Sequence, residues 1–172
     1  MGDYNQQCRK QYQDKLNEAL VELGFTYHIF RIPSGPNLVE QHTCFDCRWC
    51  GALISGLDTH IKVCVAMPSD LQRAIAKDVE RAQEIILDRL KQRMREMTED
   101  ELGYVQRCGH GPHVDRLELV KLCQDADICA YGYDLAEREL TEAKLIGNFM
   151  VSAHPAHDLQ IMLPPLPEPA IV

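Results

Sequence analysis

Cys47-Arg48-Trp49-Cys50-Gly51-Ala52-Leu53-Ile54-Ser55-Gly56-Leu57-Asp58-Thr59-His60-Ile61-Lys62-Val63-Cys64 carries three thiols and one imidazole in two pairs, and its reading decides the fold. Tetrahedral zinc takes four soft or borderline N and S donors, and Cys/His sets at such spacings supply them. Cys47 and Cys50 bracket two residues, a separation that closes a tight knuckle with converging sulfurs. Gly51 follows directly and can take the left-handed backbone that such a turn wants. His60 and Cys64 are four apart and share one face of a helix. Ile54, Leu57 and Ile61 fall at helical spacing around His60, where a tiny core needs apolar groups.

A second register exists. Cys44 and Cys47 are also a Cys-x-x-Cys pair, and twelve residues separate Cys47 from His60, the C2H2-finger spacing. That register places Gly51 where a large apolar side chain is expected to pack. The set Cys47, Cys50, His60 and Cys64 gives both Gly51 and Leu57 a role and is preferred, with Cys44 as the alternative ligand.

The pattern Cys-x-x-Cys-Gly, an apolar residue, Leu-x-x-His and a fourth ligand resembles the short finger of the prokaryotic Ros/MucR regulators. Met67-Pro68-Ser69-Asp70 resembles their downstream segment, so the likeness covers residues 45–70. It implies a compact zinc module and, as an alternative function, a DNA-binding transcriptional regulator. It also implies a phage or mobile-element source. Two departures stand out. The fourth ligand is Cys64 in place of His, and Asp46, Arg48, Asp58 and Lys62 leave the module neutral where the family is basic.

The remainder of the 172-residue chain bounds what the module can serve. That length fits one domain, or one domain with a small appendage. A net charge of −8 argues against broad non-specific nucleic-acid binding, which relies on neutralising phosphates. Eight cysteines without an apolar leader point to reduced thiols and metal, hence to a cytoplasmic protein. Gln6 stands where a myristoylation signal at Gly2 wants Ser or Thr. No apolar run is long enough to span a membrane.

Along the chain, Cys8, Tyr12, Leu16, Leu20 and Leu23 predict a helix over 4–23, stopped by Gly24. Phe25-Thr26-Tyr27-His28-Ile29-Phe30-Arg31-Ile32 reads as a strand, Pro33 to Asn37 as a turn, and 38–46 as the returning strand. His28 and His42 are ordinary strand residues in this reading. Ser69 and Gln72 have the form of a capping box opening the longest helix. Its stripe is Leu71, Ile75, Val79, Ala82, Ile86, Leu90, Met94 and Met97. Its basic end, Arg89, Lys91, Arg93 and Arg95, suits the helix dipole and is also the candidate nucleic-acid contact. Thr98 to Glu101 forms another capping box for a helix to Arg107. Further helices are expected over 114–125 and 135–149, the latter capped by Asp134. From Ala153 the chain turns proline-rich and reads as an extended arm.

A second cluster, Cys108, His110 and His113 with Cys123 or Cys129, is a possible second metal site without a paired knuckle. The same residues would serve a hydrolase or nuclease, the third functional reading. The expected fold is mainly α with a small β-hairpin. A ββα-like zinc-finger module (25–67) follows an N-terminal helix (1–24) and packs beside a bundle of helices (68–150) that includes one long helix; a Pro-rich tail (151–172) ends the chain. A closed four-ligand zinc site stabilises a fold and leaves no open position for chemistry, so an interaction or regulatory protein is expected, not an enzyme. Partners would be a protein or a second copy, met through the long helix 70–97 and the tail.

Overall fold

Local signals set most of the elements in the computed structural model, which describes residues 3–36, 38–150 and 159–164. Helices predominate, with two small antiparallel sheets. The chain divides into two units, residues 11–77 and residues 1–10 with 78–172.

Helix α1 (Asp3–Leu23), whose residues from Gln11 onward belong to the 11–77 unit, ends at Gly24, whose φ is +96°. A Cβ at Gly24 would stand 2.7 Å from Trp49 Nε1, so both backbone and space demand glycine. Strand β1 (Phe25–Gly35) then pairs with β2 (Leu38–Cys47), from Phe25 opposite Cys47 to Gly35 opposite Leu38, with one irregularity between Pro33 and Gly35. Strand β3 (Leu53–Ile54) adds to β2 only at its root, opposite Asp46 and Phe45. Helix α2 (Leu57–Val63) follows. Leu20, Phe25, Leu57, Ile61, Met67 and Ile75 are the buried apolar groups of this unit.

Helix α3 (Ser69–Glu96) begins where expected, but without the expected box. The Gln72 amide turns away from Ser69 and donates to the carbonyls of Ile61 (2.9 Å) and Cys64 (3.0 Å), closing the end of α2. The α3 stripe is spent inside the chain: Ala82, Ile86 and Leu90 are fully buried. Helix α4 (Glu99–Arg107) does carry its capping box, with Thr98 and Glu101 satisfying each other's backbone N–H.

The rest of the second unit departs more from expectation. Strand β4 (His113–Asp115) leads into α5 (Arg116–Asp125), capped by Asp115. Helix α6 (Ala130–Glu142) starts earlier than Asp134, because the Cys129 sulfur accepts the Gly132 N–H at 3.3 Å and takes the cap position. It ends at Glu142, not at Phe149. Lys144 adopts φ +57°, and the Leu145 N–H returns to the Leu140 carbonyl. Residues beyond form β5 (Gly147–Met150), and β6 (Leu159–Met162) lies between β4 and β5. Part of the segment read as an extended arm is therefore a central strand. Of the remainder of that arm only residues 163–164 are among the described residues. At Gly111 a Cβ would meet the Leu163 carbonyl oxygen at 2.0 Å, which explains the glycine. Glu137, 6% exposed, is held by the Arg116 guanidinium at 2.8 Å. No helix among the described residues is long and apolar enough to cross a membrane.

Candidate metal centre

The knuckle forms because β2 stops at Cys47 and the chain turns back at once. The Gly51 N–H reaches the Cys47 carbonyl at 2.7 Å with Gly51 at φ +71°, and the Cys47 N–H reaches the Ala52 carbonyl at 3.0 Å. The Arg48 N–H is fixed to the Gly24 carbonyl, and the Trp49 indole donates to the Leu23 carbonyl, both at 3.0 Å. Arg48 lies 4.4 Å from the Trp49 ring centroid, a cation over an aromatic face. Helix α2 then delivers His60 within its last turn and Cys64 as its C-cap, the Cys64 N–H bonding the His60 carbonyl at 2.8 Å.

These elements bring the thiols of Cys47, Cys50 and Cys64 and a ring nitrogen of His60 within 4.8 Å of one another. The Cys47 and Cys64 sulfurs are 4.0 Å apart, and the Cys50 sulfur is 3.5 Å from His60 Nε2. A tetrahedral ion with metal–sulfur bonds of about 2.3 Å and metal–nitrogen bonds of about 2.0–2.1 Å separates two sulfurs by about 3.8 Å and sulfur from nitrogen by about 3.6 Å. These two separations lie close to those figures. They are also far longer than the ~2.05 Å of a disulfide. The cluster can hold a metal ion.

The surroundings act in opposite directions on two of the thiols. Burial pushes the Cys47 thiol up, and the backbone N–H groups of Cys50 and Trp49 oppose this by pointing at its sulfur. The Ala52 N–H holds the exposed Cys50 thiol below its ordinary value. Cys47 and Cys64 are buried, so one side of the cluster is dry and the Cys50 side meets water. Phe25, fully buried, stands edge-on to the His60 ring with centroids 6.4 Å apart and fixes its tilt.

Cys44 does not join the group. It lies in the regular part of β2 opposite His28, three residues before Cys47, and an odd offset in a strand points to the other face. A Cys-x-x-Cys pair makes a knuckle only where the chain turns, and 44–47 is extended. His28 contacts Asp46 at 2.6 Å and His42 lies 3.4 Å from Glu40, as strand residues.

Nor is a second centre assembled. Among the described residues, Cys108, His110, His113, Cys123 and Cys129 form no group of three or more converging donors. Cys108 is an exposed C-cap of α4, whereas Cys123 is buried on α5 with its thiol pushed up to about 11 by desolvation. Cys129 is committed to capping α6. His113 lies on β4, where burial lowers its pKa. In the basic cluster, Arg89 is engaged by Glu118 and by Glu96 at 3.2 Å, and Arg93 lies 3.9 Å from Glu101; Lys91 and Arg95 are exposed.

Phe25, Trp49 and Gln72 support the centre without a sequence signal as strong as the ligand spacing. Only the aromatic opening of β1 and the lone tryptophan inside the knuckle hinted at it. Comparison with known protein families, with curated proteins and with solved structures finds no match, so the case for this centre rests on its own donors and distances.

Proposed function

We propose that the chain is a zinc-binding interaction or regulatory protein that acts through protein contacts, with zinc in a structural role. The observation that carries this is the convergence of three sulfurs and one imidazole nitrogen within 4.8 Å, with the Cys47–Cys64 and Cys50–His60 pairs near tetrahedral separations. Soft thiolate donors with one imidazole favour zinc over magnesium, calcium or manganese, which prefer oxygen. Four protein donors complete a tetrahedron and leave no position for an activated water. Zinc bound here would act on folding, since the unfolded chain holds no such site.

Protein contacts are the better reading than DNA. The net charge of −8 opposes approach to phosphate, and one cation of the basic cluster, Arg89, is already paired with two carboxylates. Elemental analysis of the purified chain tests the metal: one zinc per chain is expected, and iron or an empty site overturns it. Titration with duplex DNA at rising salt tests the contact class. Duplex affinity falling steeply with salt would replace the protein-contact reading with a DNA-binding one.

A further inference from the structure

The β1–β2 hairpin is a ribbon of ten cross-strand pairs, and β3 supports it only at Phe45 and Asp46. Such two-stranded ribbons are marginal alone in water and gain stability with a third or fourth strand. Away from its root this one exposes large apolar groups: Ile29 is 49% exposed, Phe30 45%, Ile32 50% and Val39 60%. They alternate between the two faces, so packing on one face would leave the other bare.

We infer that the outer edge of β1, residues 25–32, which pairs with no strand among the described residues, pairs antiparallel with the same edge of a second copy, making a six-stranded sheet across a two-fold axis at Ile29. Several observations select this occupant. Edge strands are ordinarily guarded by charges, proline or a covering element. On β1 those guards are Arg31 and Pro33, both towards the tip, while Glu40 and Asp46 lie on β2. A chain of net charge −8 can therefore approach its own copy through β1 without opposing acids. The edge is bounded by the left-handed Gly24 at one end and Pro33 at the other, which fixes its length.

Symmetry sets the register. Paired residues on antiparallel strands share a face, so a two-fold axis must set one residue against itself. Near the middle of 25–32 that residue is His28 or Ile29. His28 is tied to Asp46 at 2.6 Å, and two such pairs abutting would oppose each other. The Ile29 register sets Ile29 on Ile29 and places Arg31 of one copy across from Tyr27 of the other, a cation beside an aromatic ring. Seven paired residues, 26–32, span about 24 Å and cover roughly 300–400 Å² per partner, well below the ~800 Å² of a standard interface. The dimer is thus expected to be weak and concentration-dependent.

Sedimentation across a concentration series up to about 0.5 mM reads this, a range that detects association with Kd below roughly 1 mM. The wild-type chain should move from 19.6 kDa towards twice that mass. Ile29→Lys, at an exposed position, should stay monomeric with its bound metal unchanged, the latter reporting that it is folded. An equimolar mixture of Ile29→Lys and Ile29→Glu should recover the dimer, because the axis sets the two charges face to face. Val39→Lys, on the same face but off the β1 edge, should dimerise as wild type does. A wild-type chain that stays monomeric throughout overturns the inference, as does an Ile29→Lys dimer. Equal loss from Val39→Lys overturns it too, in favour of face packing.

Discussion

Replacing Cys50 by Ser is the sharpest test of the proposed metal centre, because Cys50 is the exposed donor of the cluster and its loss leaves no buried cavity. A structural zinc of this donor type is worth about 10–16 kcal/mol in finger-sized peptides near neutral pH. The unit that contains it, residues 11–77, is of a size whose core by itself rarely supplies more than about 3–5 kcal/mol. The metal term is the larger, so its loss should melt the knuckle and α2 instead of merely loosening them. The assay is zinc per chain by native mass spectrometry, together with amide exchange. In the wild type, the N–H groups of Cys47, Arg48, Gly51, His60 and Cys64 are all hydrogen-bonded to backbone carbonyls and should be protected. In Cys50→Ser zinc should fall below about a tenth of an equivalent, a drop corresponding to more than ~1.4 kcal/mol of lost affinity under limiting metal. Those five amides should then exchange rapidly. Cys44→Ser is the paired control and should keep both metal and protection, since its side chain lies on the other face of β2. A Cys50→Ser chain that retains stoichiometric zinc, or a Cys44→Ser chain that loses it, refutes the ligand assignment.

Three further outcomes test the second unit. Arg116→Met leaves the Glu137 carboxylate buried without its guanidinium, and should cost about 3 kcal/mol by urea melt, the low end for broken buried pairs because Arg116 is 24% exposed. The double change Arg116→Met with Glu137→Leu should recover most of that loss. Gly111→Ala forces a methyl group to 2.0 Å from the Leu163 carbonyl oxygen, so the melting temperature should fall by several degrees, matching a cost of about 2 kcal/mol. An unchanged melt would mean β4 and the segment after β6 do not approach as described. Finally, burial lowers the pKa of His113, so the fold prefers its neutral form. The unfolded state then takes up the proton first as pH falls below about 6.5, and stability drops until the lower folded pKa is passed. His113→Gln should flatten the urea-melt profile over that window relative to wild type.

How much of this was legible in the sequence depends on how local each signal is. The ligand set lies within eighteen residues, and its pair spacings alone place Cys47, Cys50, His60 and Cys64 together. The Thr98–Glu101 box is equally local and is found as read. Gln72 misled for the opposite reason. Its position after Ser69 fits a cap, yet its partners are the carbonyls of Ile61 and Cys64 at the end of α2, and nothing in the spacing announces them. The start of α6 was missed because a cysteine sulfur occupies the cap, and sulfur is a weak acceptor that capping preferences do not rank. The second sheet was missed because β5 and β6 have four residues each. Ile146 and Phe149 continue a helical period that Lys144 breaks through backbone conformation alone. Strands that short reveal themselves only through long-range pairing.

The hairpin and the metal centre share their root, and this makes one direction of dependence testable. Cys47 is both the last residue of β2 and the first donor of the cluster, while Phe25 both opens β1 opposite Cys47 and stands edge-on to the His60 ring. The Arg48 N–H on the Gly24 carbonyl ties the strand ends together. Removing metal therefore frees both ends of the ribbon at its one supported point, whereas a change midway along β1 leaves the four donors where they are. Chelation should lower the mass of the wild-type chain towards 19.6 kDa and restore the dimer when zinc is returned. Ile29→Lys should hold the same zinc whether or not it can pair. If the apo chain dimerises as well as the metal-loaded one, the ribbon holds itself without the centre, and the coupling argued from their shared root is wrong.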